Sequence, residues 1–165
     1  MIVLGIDPGI ATTGFGVVRE ESAGQINALA YGVLSTPKDD TLPRRLLSLR
    51  QQLNELIQRW RPTESAVEAL FFATNLKTAM AVGQARGVVL VTLQEAGLAI
   101  GEYTPLQVKQ AITGYGQAGK RQMQTVVQML FSLDALPRPD DAADALAVAF
   151  THLQSSRYHR LETGA

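Results

Sequence analysis

Apolar residues run through Ile2-Val3-Leu4-Gly5-Ile6 and stop at Asp7, the pattern of a buried strand with a carboxylate at its end. Residues 8–14 read as a tight loop, 15–19 as a second strand and 27–35 as a third, which makes an antiparallel meander. Leu42, Leu46, Leu49, Leu53, Leu56, Ile57 and Trp60 then recur at helical period until Pro62 stops the pattern. A second apolar run, Ser65-Ala66-Val67, opens a fourth strand and again ends on an acid, Glu68.

Residues 75–96 predict a long helix, with Thr74 or Asn75 as N-cap and Gly97 as its stop. A fifth strand is expected over 98–103, and Thr104-Pro105 caps the helix that follows. Residues 114–119 hold three glycines and read as a loop; 120–131 is helical, and Pro139 leads into a last helix over 140–152. No internal repeat interrupts this order. The polar tail, residues 155–165, is expected to fray, which gives one domain over 1–155 and a flexible tail over 156–165. Three strands, a helix, a strand, a helix, a strand and more helices predict an α/β fold, a five-stranded mixed sheet with helices on both faces.

A chain of 165 residues is long enough to bury a real core as one domain. With no cysteine, disulfides and thiolate metal sites are excluded. The apolar runs are too short to span a membrane, and Met1-Ile2-Val3-Leu4 lacks the basic start of a signal peptide, so a soluble, cytoplasmic protein is expected. Fifteen basic residues balance fifteen acidic ones, which argues against a nucleic-acid binder when taken as a sum. The distribution argues the other way. Between residues 69 and 133, Lys77, Arg86, Lys109, Lys120 and Arg121 face only Glu95 and Glu102, and a local basic face outweighs the total.

Four acids carry the candidate chemistry. Asp7 and Glu68 end apolar strands, while Asp141 and Asp144 lie three residues apart at the start of an alanine-rich helix and so share one face. Carboxylates gathered this way need a positive partner, and a pair of hard divalent cations that serve phosphodiester hydrolysis is the partner expected. Each motif also has a plainer use. Asp7-Pro8-Gly9 makes a good turn, and actin-like kinases use a similar Asp-x-Gly turn for a nucleotide phosphate. Glu68 fits an exposed sheet edge, although an ionised carboxylate on a central strand is costly unless paired. Acids in a first helical turn gain ~0.3–1 kcal/mol each from the dipole, and Asp140 is expected to do only that.

The order of elements is that of the ribonuclease H-like fold, and nearly the whole chain resembles the RuvC family of bacterial Holliday-junction endonucleases. The matching stretches are Gly5-Ile6-Asp7-Pro8-Gly9, Val67-Glu68 with Phe71, Gly83-Gln84-Ala85-Arg86-Gly87, Gln107-Val108-Lys109-Gln110 and Asp141-Ala142-Ala143-Asp144-Ala145-Leu146. The resemblance implies that Asp7, Glu68, Asp141 and Asp144 are catalytic metal ligands for two Mg²⁺ ions, with Mn²⁺ able to substitute. Some family members have histidine at the position of Asp141.

Phe71 and Phe72 cannot both face one side of a strand. By resemblance Phe71 stacks on an unpaired junction base, whereas the plainer use is a loop-covered core for both rings. Lys109 and Lys120 are implied to bind the substrate, with Arg121 a weaker candidate. Ala79, Gly83 and Gly87 recur every four residues on the long helix. The resemblance makes this stripe a homodimer interface, and packing on the protein's own sheet is the alternative. His152 and His159 lack nearby sequence partners and read as structural or surface residues.

The implied activity is resolution of four-way DNA junctions by paired symmetric nicks with 5′-phosphate and 3′-hydroxyl ends, in recombination and repair, alongside a branch-migration motor. Alternatives from other classes are a ribonuclease H-like RNA-processing nuclease, an actin-like ATPase and a non-catalytic junction-binding protein.

Overall fold

The computed structural model describes residues 1–22, 24–69 and 76–163, with side chains left out at 76–78 and 159–163. Among these the chain forms β1 (Ile2–Asp7), β2 (Thr12–Glu20), β3 (Ile26–Ser35), α1 (Leu42–Trp60), β4 (Glu64–Glu68), α2 (Leu76–Glu95), β5 (Ala99–Tyr103), α3 (Pro105–Thr113), α4 (Lys120–Leu130) and α5 (Asp140–Thr163). The sheet runs β3-β2-β1-β4-β5. Strands β1, β2 and β3 pair antiparallel as a meander, and β4 and β5 join parallel to β1. No helix among the described residues is long and apolar enough to cross a membrane.

Side chains alternate across a strand, and that alternation sorts the core into two layers. Leu4, Ile6, Val17 and Val67 pack with Leu49 and Leu53 of α1 and Ala85, Val89 and Leu93 of α2. Val3, Val18 and Ala66 face the other way, against Leu146, Ala149 and Leu153 of α5 and Val108 and Val127 of α3 and α4. Each fully buried Leu or Val contributes roughly 1.5–3 kcal/mol of transfer free energy, so each layer is strongly held. By the same alternation Asp7 and Glu68 belong to the α5 side of the sheet.

Helix α5 crosses β1 and β2 unusually closely, and glycine makes this possible. A Cβ at Gly5 would collide with the Ala145 carbonyl oxygen, and one at Gly14 with that of Asp141. A side chain at either position would lift the start of α5 away from the strand end that carries Asp7.

The structure departs from the sequence expectation at two boundaries. β2 begins at Thr12, inside the loop expected over 8–14, because Gly14 serves helix packing rather than a turn. α5 continues past the expected end near residue 152 to Thr163, so the boundary expected at 155/156 falls inside a helix. Arg157 holds this extension to the sheet by pairing with Glu20 and donating to the Gly24 carbonyl at 2.7 Å.

Candidate active site

Two neighbouring parallel strands deliver the first two carboxylates. Ile6 lies in register with Val67, so Asp7 and Glu68, one residue further on, emerge side by side at the carboxyl ends of β1 and β4. Ligands of open α/β sheets collect at such ends. The turn behind Asp7 is fixed from two sides. Thr13 Oγ1 donates to the Gly9 carbonyl at 2.6 Å, and Arg45 Nη2 donates to the Ile10 carbonyl at 3.0 Å.

Asp7 and Glu68 are half-buried and hydrogen-bonded carboxyl to carboxyl. Burial, then the charge and hydrogen bond of Glu68, push Asp7 up to about 9. Glu68 is also raised by burial, against the opposing pull of its hydrogen bond to Asp7 and the Lys109 charge. Two buried carboxyls in such contact favour holding a proton between them.

The first turns of α5 bring the other two. Asp144 is half-buried, and burial followed by the Glu68 charge raises it to about 6. Asp141 lies one turn nearer the helix start, and its Oδ2 accepts from Thr12 Oγ1 at 2.6 Å. The charges of Asp141 and Asp144 both act on Asp7, so the four predicted acids share one electrostatic site.

A cleft of about 230 Å³ opens beside them, lined by Glu68, Pro105, Val108, Lys109, Lys120, Met123 and Asp144. The α3 capping box, in which Thr104 and Gln107 exchange hydrogen bonds, fixes the helix that carries Lys109. Lys120 reaches Asp140 Oδ2 at 2.7 Å, and Gln124 donates to the other oxygen of that carboxylate. Lys120 is raised by this hydrogen bond, and Asp140 is lowered by it. Asp140 is thus more than a dipole ligand: it anchors Lys120. Only the fold, which packs α4 beside α5, reveals that.

Arg121 is exposed and lies outside the cleft lining. Phe71 and Phe72 lie outside the described residues. Among the described residues, nothing comes within 4 Å of a Cβ built at Gly83 or Gly87, and Ala79 is half-buried. His152 is a structural residue, as expected: it is buried, with Nδ1 2.9 Å from the Tyr103 hydroxyl and Nε2 2.6 Å from Glu64 Oε2. Those partners sit 49 and 88 residues away in sequence, beyond the reach of local pattern.

Among the described residues no three His, Cys, Asp or Glu side chains converge to metal-ligand spacing; Asp7 and Glu68 meet through their hydrogen bond instead. The donor set nevertheless suits a hard cation. It is all carboxylate oxygen, and burial and neighbouring negative charge raise Asp7 and Asp144, a repulsion that a divalent charge relieves.

A mixed sheet in this order, with acids at the ends of β1 and β4 and at the start of the helix laid across them, defines a ribonuclease H-like nuclease. Comparison with known proteins narrows the class. The family model described as Crossover junction endodeoxyribonuclease RuvC matches residues 3–152. The relative of that name from Syntrophomonas wolfei is 52% identical over 157 residues, covering 95% of this chain and 91% of its own. The one from Rubrobacter xylanophilus is 53% identical over 156 residues, covering 94% and 87%. Thermus thermophilus RuvC superposes with a TM-score of 0.87 at 39% identity, covering 96% of this chain and 97% of its own. The same protein in complex with a Holliday junction substrate gives 0.86 at 37%, covering 96% of each chain. The chain belongs to the RuvC family of crossover junction endodeoxyribonucleases. That family consists of divalent-metal-dependent nucleases. The yeast mitochondrial resolvase Ydc2 shares the fold at a TM-score of 0.70 and 16% identity, covering 95% of this chain and 80% of its own.

Proposed function

We propose that the chain resolves four-way DNA junctions, cutting two symmetry-related strands by hydrolysis with two Mg²⁺ ions held by Asp7, Glu68, Asp141 and Asp144. One observation carries the reading: Asp7 and Glu68 sit side by side at the carboxyl ends of adjacent parallel strands, with Asp144 of α5 near enough to feel their charge; burial raises all three, and mutual charge raises Asp7 and Asp144 further. The substrate class comes from the family and from the junction complex of the Thermus thermophilus relative.

Bound divalent cations would supply Lewis-acid activation of water and stabilise the leaving 3′ oxygen, with Mn²⁺ able to replace Mg²⁺. The residues of the chain do the rest. Asp7 gives up its proton as the site charges, which frees both carboxylates of the pair to ligate. Asp144 lines the cleft with Glu68, and Lys109 and Lys120, which line it too, meet the DNA phosphates. Lys120 exchanges its Asp140 partner for phosphate as the strand enters. Arg121, exposed on the same helix turn, adds to the basic surface, and Phe71 stacks on an unpaired base at the junction centre. The products carry 5′-phosphate and 3′-hydroxyl ends. A homodimer formed through Ala79, Gly83 and Gly87 supplies two such sites, working in the cytoplasm with a branch-migration motor during recombination and repair.

The test is a mobile four-way junction incubated with the protein, with and without Mg²⁺. Paired symmetric nicks that require the metal are expected. Asp7→Asn, Glu68→Gln, Asp141→Asn and Asp144→Asn should each abolish them while junction binding, which rests on the basic surface, persists. Near-normal cutting by the Asp7 or Glu68 variant would refute the assignment.

A further inference from the structure

Thr12 sits at the first position of β2, directly after the turn that exposes Asp7. Its neighbour Thr13 points to the other face, is fully buried and is used up by Gly9. Two residues on, Gly14 lies on the same face as Thr12, and the backbone of Asp141 rests against it. This close approach brings the Asp141 carboxylate within reach of Thr12, whose hydroxyl donates to Oδ2 at 2.6 Å across 129 residues of sequence. A carboxylate has two oxygens and can hold a cation through one or both. The bond to Oδ2 sets the direction in which both oxygens point.

We infer that Thr12 is a positioning residue for the metal centre: its hydroxyl fixes the rotamer of Asp141 and so holds that carboxylate ready to ligate. The inference rests on the reading of Asp141 as a metal ligand and adds what holds that ligand in place. A hydrogen bond from outside the ligand set removes the rotational freedom that the side chain would otherwise lose on binding the ion. The loss of such partners typically weakens metal affinity about 10–100-fold. Asp7 and Glu68 instead brace one another.

Thr12→Val keeps the branched shape and removes the donor, whereas Thr12→Ser keeps the donor. Mn²⁺ titrated calorimetrically into the DNA-free protein should bind Thr12→Val about 10–100-fold more weakly, and Thr12→Ser close to the parent value. Cleavage by Thr12→Val should recover at high metal, which shows a site that is weakened rather than lost. The double variant Thr12→Val/Asp141→Asn should bind Mn²⁺ no worse than Asp141→Asn alone. It carries the test, together with Thr12→Ser, if Thr12→Val melts early. Parental Mn²⁺ affinity in Thr12→Val, equal loss in Thr12→Ser, or fully additive losses in the double variant each overturn the inference while Asp141 stays a ligand. Unchanged Mn²⁺ affinity in Asp141→Asn overturns the ligand reading as well, so the two failures are distinguishable.

Discussion

Asp7 on β1 is hydrogen-bonded to Glu68 on the adjacent strand β4, and burial raises both carboxyl groups so that the pair favours holding a proton. The register that sets Ile6 beside Val67 forces this meeting, and half-burial keeps water from screening it. A pair that holds a proton near neutrality is poised to exchange it for a cation, because ion binding and proton release become one event.

Metal-free stability should therefore depend on pH in a set direction. Asp7 is raised from 3.8 to about 9 and Asp144 to about 6, so between those limits the folded chain binds more protons than the unfolded one. Their contribution is fully present below the unfolded pKa and is lost as pH rises through the folded values. Metal-free melting temperature should fall between pH 5.5 and 8.5, and the increase produced by Mg²⁺ should grow over that interval, as followed by calorimetry. Asp7→Asn should flatten the metal-free slope. An Mg²⁺ effect that shrinks with rising pH would show that the cation does not displace these protons.

Gly14→Ala should be costly although it adds a single methyl group. The new Cβ meets the Asp141 carbonyl oxygen, a backbone atom that cannot swing aside, so α5 must shift. A loss of about 1–3 kcal/mol is expected by urea denaturation, with weakened Mn²⁺ binding as Asp141 and Asp144 move from Asp7. Parental stability and metal affinity in this variant would mean that α5 does not set the geometry of the site.

Lys109→Ala and Lys120→Ala should each reduce cleavage and flatten the salt dependence of junction binding. Both side chains line the cleft together with Glu68 and Asp144, and each phosphate contact contributes roughly one unit to the logarithmic salt slope. Lys109 also lowers the pKa of Glu68, so its loss should move the pH at which cleavage rises upward. Unchanged slopes and rates in both variants would assign the lysines to solvent.

The acids were legible in the sequence because each interrupts or follows an apolar pattern, at the ends of β1 and β4 and the start of α5. What supports them was not. Thr12 and Gly14 look like loop residues until a helix is seen lying on Gly14 and bringing Asp141 to Thr12, and Gly16 looks like an ordinary strand residue until that helix crosses it. Asp140 satisfies the helix dipole in sequence and Lys120 in space. His152 finds Tyr103 and Glu64 only after β4, β5 and α5 have packed. The far end of α5 reads as a polar tail because its anchor, Arg157 with Glu20, spans 137 residues. Local patterning reports burial and period; close backbone approach and long-range hydrogen bonds become visible only in three dimensions.

The working unit should be a symmetric homodimer joined through α2. A four-way junction requires two incisions related by a two-fold axis, and one chain holds a single set of four acids. The sheet-facing residues of α2 are Ala85, Val89 and Leu93, whereas Gly83 and Gly87 have no described atom within 4 Å of a built Cβ. Beside them Met80 is 68% exposed and Val91 56%, and Leu46, Arg50, Gln84, Val88 and Glu95 line an open groove. Gly83→Leu therefore has room in the isolated chain and meets an obstacle only if a partner helix lies against it. Light scattering at micromolar concentration should give about twice the 17.8 kDa chain mass for the parent and a shift toward monomer for Gly83→Leu, with the monomer's fold intact by circular dichroism. A parent that stays monomeric while making paired, symmetric cuts would defeat the dimer, and a Gly83→Leu protein that remains fully dimeric would place the interface elsewhere.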